Sequence, residues 1–174
     1  KKVNAIFCKD TTLLMAYENI LYRSNDNGTT WSVSKAFKAS TVINRISNLG
    51  DTLFAFTSAE GIYISTNWGK TWNPDNFGLT TQTSSGIARH RNKLYLATSE
   101  GVFKDVPNGY RADRLMVCSS VIDLEQNDSC LAAVDFYNVH ISRDKGETWV
   151  NSTSEIPKNI LCSVANVKNS FVFS

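Results

Sequence analysis

One eight-residue pattern constrains this chain more than any other feature, because it returns at a nearly fixed interval. Ser142-Arg143-Asp144-Lys145-Gly146-Glu147-Thr148-Trp149 reads Ser-x-Asp-x-Gly-x-Thr-Trp, and Ser24-Asn25-Asp26-Asn27-Gly28-Thr29-Thr30-Trp31 matches it at every fixed position. Ser65-Thr66-Asn67-Trp68-Gly69-Lys70-Thr71-Trp72 differs only in carrying Asn for Asp. A worn copy, in which only Gly109 is kept, spans residues 105–112. The copies begin at 24, 65, 105 and 142, so the intervals are 41, 40 and 37. A period near forty with strand-like flanks marks stacked supersecondary units, and a four-stranded propeller blade has that length.

The residue types suit a tight hairpin connection. Asp or Asn at the third position turns its side chain back onto nearby backbone N–H groups and holds the turn closed. Glycine two residues on supplies a positive φ at no steric cost. Thr and Trp then open the next strand, where β-branched and aromatic side chains fit a pleated surface. The indoles of Trp31, Trp72 and Trp149 are expected between blades, while Trp68, at a variable position, is expected in solvent. A calcium loop is excluded, since the twelfth-position Glu and the run of oxygen ligands are missing. No metal or other cofactor is expected.

The motif resembles the Asp-box, or BNR repeat, of sialidase-like propellers, sortilin-type receptors, some β-glucanases and photosystem II assembly factors. The resemblance spans nearly the whole chain at repeat level. It implies an all-β propeller of four-stranded antiparallel blades. It implies structural duties for Ser24, Asp26, Gly28, Trp31, Ser65, Asn67, Gly69, Trp72, Ser142, Asp144, Gly146 and Trp149. Function does not follow, because one propeller hosts unrelated activities. Many relatives so implied are secreted or surface-displayed, which gives an extracytoplasmic location as the expectation.

Each unit reads as four strands with the motif between the third and fourth. The strands predicted for the first blade are 3–8, 12–17, 20–23 and 31–36, and for the second 42–47, 52–57, 61–65 and 71–74. The third takes 84–89, 93–98, 101–104 and 114–117, and the fourth 119–124, 129–134, 139–142 and 148–151. Blade limits fall near 1–40, 41–80, 81–118 and 119–155, within one domain. The chain then continues through 159–164 and 170–173, which match the first two strands of a further blade over 156–174. The two ends duplicate rather than complement each other. The expectation is therefore a segment of a propeller of six to eight blades, completed by remaining blades or by a second copy of the chain. An open strand edge would otherwise result, which proteins avoid.

Composition excludes several classes. A net charge of +2 gives no general argument for nucleic acid or an anionic membrane. Apolar runs of about five residues, such as Leu13 to Tyr17, are far too short to span a bilayer. The chain shows no signal-peptide pattern at Lys1-Lys2-Val3, which reads as a trimmed or mature start. Cys8, Cys118, Cys130 and Cys162 form no C-x-x-C pair and sit in apolar strand contexts, so buried free thiols are expected, with a disulfide left open. His90 and His140 have no cysteine or carboxylate partner in motif spacing.

Catalytic signatures fail. A sialidase needs an arginine in an Arg-Ile-Pro context, and the one Ile-Pro here, Ile156-Pro157, follows Glu155. A glucanase of the Asp-box type needs two aspartates facing across a cleft. Asp26 and Asp144 are committed to turns, Asp10, Asp51 and Asp128 fall in hairpin loops, and Asp75 and Asp123 lack a recognisable context. One cluster points to a partner: Arg89, Arg91 and Lys93 alternate, followed by Lys104, Arg111 and Arg114. In a strand-turn-strand the first three can share a face and receive an anionic group. Three Asn-x-Ser/Thr triplets, at Asn27, Asn127 and Asn151, are glycosylation acceptors only in a secretory setting. The resulting reading is a non-enzymatic scaffold for a protein or carbohydrate partner. A sialidase-like or glucanase-like glycoside hydrolase, whose catalytic residues lie outside this segment or are unrecognised in it, and a photosystem-type assembly factor are the alternatives.

Overall fold

A computed structural model of the chain describes residues 2–76, 78–90, 93–106, 109–112, 120–152, 163–167 and 170–173. No helix occurs among them, and none is long and apolar enough to cross a membrane. The chain forms two compact units, residues 1–76 with 82–84, and residues 77–81 with 85–174.

The first unit holds two four-stranded meanders. β1 (Val3–Lys9), β2 (Thr12–Tyr17), β3 (Ile20–Ser24) and β4 (Ser32–Ala36) form one sheet. β5 (Ile43–Leu49), β6 (Thr52–Thr57), β7 (Ile62–Ser65) and β8 (Asn73–Pro74) form the next. The second unit repeats the plan with β9 (Ser84–His90), β10 (Lys93–Thr98), β11 (Gly101–Val106) and β12 (Gly109–Ala112). It continues with β13 (Asp123–Gln126), β14 (Leu131–Val134), β15 (Val139–Ser142) and β16 (Val150–Asn151), then a hairpin of β17 (Val164–Val167) and β18 (Ser170–Phe173).

The register is the same in each motif-bearing sheet. The motif serine at the end of the third strand lies opposite a leucine of the second, as Leu13↔Ser24, Leu53↔Ser65 and Leu131↔Ser142. Because strand side chains alternate, this register fixes which face meets which neighbour. Leu14 and Ala16 of β2 pack with Leu53 and Ala55 of β6, together with Leu21, Ile43, Ile46 and Trp72. In the second unit Tyr95 and Ala97 of β10 pack with Leu131 and Ala133 of β14. The opposite face of β14, Ala132 and Val134, packs with Val164 of β17 and, at its margin, Phe171. β14 is thus buried on both faces, which its Leu-Ala-Ala-Val sequence without alternation reflects. Each large side chain so buried contributes about 1.5–3 kcal/mol over an exposed one.

The two faces of the first sheet differ in burial among the described residues. Leu14 and Ala16 are buried, while Leu13, Met15 and Tyr17 on the other face are half-buried. Ile6, paired with Met15, is 67% exposed, and Val33, paired with Tyr22, is 60% exposed. Cys8 shares this face and is exposed, not buried as its apolar context predicts. Cys130 is buried, while Cys118 and Cys162 lie outside the described residues.

Other boundaries shift. The worn copy at 105–112 is not a motif turn: Gly109–Ala112 pairs with β11 as Val106↔Gly109 through Phe103↔Ala112, so the hairpin closes earlier. The strand predicted at 114–117 lies outside the described residues. The first strand of the fourth sheet begins at Asp123 rather than Ser119, because Val121 N–H is taken by Thr98 O, 2.9 Å away. β17 begins at Val164, later than predicted; residues 159–162 are not among those described.

Candidate functional site

The three motif turns share one hydrogen-bond set. Serine Oγ accepts the glycine N–H at 2.9, 2.9 and 2.8 Å in turn. The same hydroxyl donates to Oδ1 of Asp26, Asn67 and Asp144 at 2.7, 3.0 and 2.9 Å. That Oδ1 accepts the N–H of Thr30, Thr71 and Thr148 at 2.9, 2.9 and 2.8 Å. Threonine Oγ1 donates to the second carboxylate oxygen of Asp26 and Asp144, whereas Asn67 Nδ2 donates to Thr71 Oγ1, so Asn keeps the link with the donor reversed. These bonds, led by those from Thr30 and Thr148, hold Asp26 and Asp144 down at about 2 against 3.8. The glycines adopt φ of 86°, 77° and 78°, and the residues before them, Asn27, Trp68 and Lys145, also adopt 57°, 58° and 66°. Sequence reasoning assigned left-handed backbone to the glycine alone.

The indoles diverge. Trp72 is 8% exposed, and its Nε1 donates across to Ser34 Oγ of the preceding sheet at 2.8 Å. Trp149 is half-buried, and its Nε1 donates to Gly146 O. Trp31 folds back on Gly28 O at 3.0 Å and is 38% exposed, against the expectation of burial. Trp68, expected in solvent, packs against the first core with Lys9 Nζ 4.7 Å from its ring centroid. Arg23 Nε donates to Trp68 O at 2.7 Å, and Gly69 O accepts from Ser34 Oγ. The second motif is therefore fastened onto the sheet before it. In the second unit Tyr95 OH donates to Lys145 O at 2.6 Å, fastening the third motif in the same way.

The residues of the basic cluster have different surroundings. Arg89 and Lys93 are exposed near the β9–β10 connection, and Arg91 lies outside the described residues. Lys104 leaves the cluster: it is buried and ion-paired to Glu147. His90, buried beside them, approaches Asn127 O at 3.2 Å through Nδ1, which places this end of the third sheet beside the β13–β14 turn. Asn127 is itself buried, with Oδ1 accepting from Ser129 and Cys130 N–H.

A second surface, missed in the sequence, lies at the opposite end of β14. The β14–β15 hairpin carries Phe136 and Tyr137 at its tip, 48% and 70% exposed, with ring centroids 6.5 Å apart. Asp135 holds the tip: its Oδ1 accepts the N–H of Tyr137 and Asn138 at 2.8 and 2.7 Å. Its Oδ2 lies 3.0 Å from His140 Nε2, so His140 has the carboxylate partner that sequence spacing did not reveal. Burial raises Asp135, yet the bonds from His140, Tyr137 N–H and Asn138 outweigh it, leaving the carboxyl below its ordinary value. The corresponding tips are polar elsewhere: Glu18-Asn19, Ser58-Ala59-Glu60 and Ser99-Glu100. The signal in the sequence was the pair Phe-Tyr inside Asp-Phe-Tyr-Asn, where a turn ordinarily carries polar residues. Among the described residues no group of three or more His, Cys, Asp or Glu gathers to hold a metal.

No family model matches the chain, and no curated protein matches it in sequence. Solved structures match its fold. A chain of the mitotic checkpoint complex superposes with a TM-score of 0.76 at 15% identity, over 98% of this chain and 56% of that one. The extracellular domain of the hybrid two-component system BT4673 from B. thetaiotaomicron gives 0.75 at 20% identity, over 99% and 25%. YCF48 bound to D1 peptide gives 0.70 at 15% identity, over 99% and 60%. The fold is a β-propeller. Its four-stranded antiparallel sheets are the blades, and the chain spans about half of the first of these structures. At such identities the likeness shows the fold alone.

Proposed function

We infer that this propeller segment is a non-enzymatic binding scaffold for a protein partner, and that the partner seats on the Phe136–Tyr137 hairpin. One observation carries the reading: two adjacent aromatics stand in solvent on a tip whose backbone is tied to Asp135. Single exposed apolar residues are ordinary. A rigid aromatic pair is different, because it offers a large apolar area with little ordering entropy left to lose on binding. Aromatic anchors of this kind dominate interface energetics. Structures that share the fold point the same way, since one holds a D1 peptide and another belongs to a multi-protein complex. An extracytoplasmic location fits an extracellular domain with the same fold.

A second reading rests on Arg89 and Lys93, which are exposed at the other end of the blades and would receive an anionic group on a protein or a glycan. A photosystem-type assembly role belongs with this reading. The two surfaces are separable by mutation. Phe136→Ser with Tyr137→Ser should abolish capture of the partner from extracts of the source organism with the melting temperature nearly unchanged. Arg89→Glu with Lys93→Glu should leave capture intact. The reverse pattern moves the site to the basic cluster. Turnover of a fluorogenic sialoside or β-glucoside by the purified chain would return the hydrolase alternative.

A further inference from the structure

The first motif places Asn27 directly before Gly28, the dipeptide most prone to non-enzymatic succinimide formation. Glycine has no side chain to hinder approach of its backbone nitrogen to the asparagine amide carbon. In that reaction Gly28 N loses its proton and bonds to Asn27 Cγ, the Cγ–Nδ2 bond breaks, and ammonia leaves. Water then opens the ring at either carbonyl to give Asp or isoAsp. Water is the sole co-reactant. Asn27 is exposed, so solvent reaches it freely.

The turn blocks the first step. Gly28 N–H, whose proton must be lost, is donated to Ser24 Oγ at 2.9 Å. Ring closure requires the Asn27–Gly28 peptide plane to turn its nitrogen onto Cγ, and the peptide planes on either side of it are held. Asn27 N–H is bonded to Thr11 O at 3.3 Å, and Gly28 O accepts Trp31 Nε1 at 3.0 Å. Asn27 is further fixed at φ 57°. We propose that Asn27 is a latent modification site, a deamidation centre that the Ser24 hydroxyl keeps closed while the turn is intact. The second and third motifs carry Trp68 and Lys145 at this position with the same backbone, so asparagine is not needed for the turn. Opening is one-way. IsoAsp lengthens the backbone by a methylene and displaces Gly28 N–H from Ser24 Oγ, and either product adds a negative charge beside Asp26.

The test is peptide mapping by mass spectrometry after incubation in mildly alkaline buffer, with the chain native or in urea. Conversion at Asn27 should be at least about tenfold slower in the native chain, since more than one hydrogen bond must open first. The other Asn-Gly of the sequence, Asn108-Gly109, is resolved in the same digest and counted separately. Folded Ser24→Ala should convert several-fold faster than wild type. Should that variant fail to fold, Trp31→Phe, which removes only the indole bond to Gly28 O, should give a smaller rise in the same direction. Equal rates in native buffer and urea overturn the proposal. So does a folded Ser24→Ala, or in its absence Trp31→Phe, as slow as wild type.

Discussion

The first and second motif turns are the same object in two environments. Both close on a serine hydroxyl, both place an Asx oxygen on a threonine N–H, and both use two successive left-handed residues. Yet Trp72 is buried and bonded to Ser34 across the sheet interface, whereas Trp31 is exposed and bonded back to Gly28 of its own turn. The difference comes from the neighbour. The second motif lies on the first sheet, while the first motif adjoins the more exposed face of that sheet, which carries Ile6, Cys8 and Val33. The motif thus has two separable duties, closing a hairpin and joining blades, and only the first is local.

The largest effect separating the two should come from the indoles. Trp72→Ala is expected to destabilise by about 3–5 kcal/mol, whereas Trp31→Ala should cost about 1 kcal/mol. Chemical denaturation measures both, and equal losses would erase the distinction drawn between the turns. Glycine substitution comes next. A Cβ on Gly69 at φ +77° would stand 2.8 Å from Leu14 Cδ2, while one on Gly28 at φ +86° would stand 3.2 Å from Leu13 Cδ1. Gly69→Ala should cost about 2–4 kcal/mol, combining left-handed strain with a core clash, and Gly28→Ala about 1–2 kcal/mol. A smaller loss comes from Trp68→Ala, about 1–2 kcal/mol from partial burial and the Lys9 contact. No loss there would return Trp68 to solvent, as its variable position in the motif suggests.

The smallest effect sharpens the comparison by pH. Asp26 and Asp144 titrate near 2, below the unfolded value of 3.8, so each folded turn prefers the charged form. That preference is fully present above 3.8 and is lost as pH falls towards about 2. Asn67 has no such proton, so the second motif should stay unchanged across this window. Amide chemical shifts of Gly28 and Gly146 in the folded chain should titrate with a midpoint near 2 while that of Gly69 does not. Asp26→Asn should flatten the response of Gly28 alone. A matching shift at Gly69 would mean that acid loosens whole blades rather than single turns.

Much of the architecture was legible because it is written in short-range chemistry. Ser, Asx, Gly and Thr at fixed offsets bond to one another within eight residues, so three motifs announced three hairpins and a period of about forty announced blades. Where the motif decayed, at 105–112, the reading failed, because glycine alone does not specify which hairpin closes. The candidate site was less legible. Asp135 and His140 are five residues apart and meet only because β14 and β15 pair as Val134↔Val139. Lys104 read as a surface cation until the fold brought Glu147 to it from forty-three positions away.

Sequence by itself therefore determined the repeat, the strand order within each blade and the closed geometry of each motif turn. All of these rest on interactions between residues a few positions apart. The tertiary structure decided which tryptophan is buried, which lysine is withdrawn from the surface and which hairpin tip presents aromatics. Those outcomes depend on what the next sheet places over a residue, and burial is a property of the neighbour as much as of the side chain.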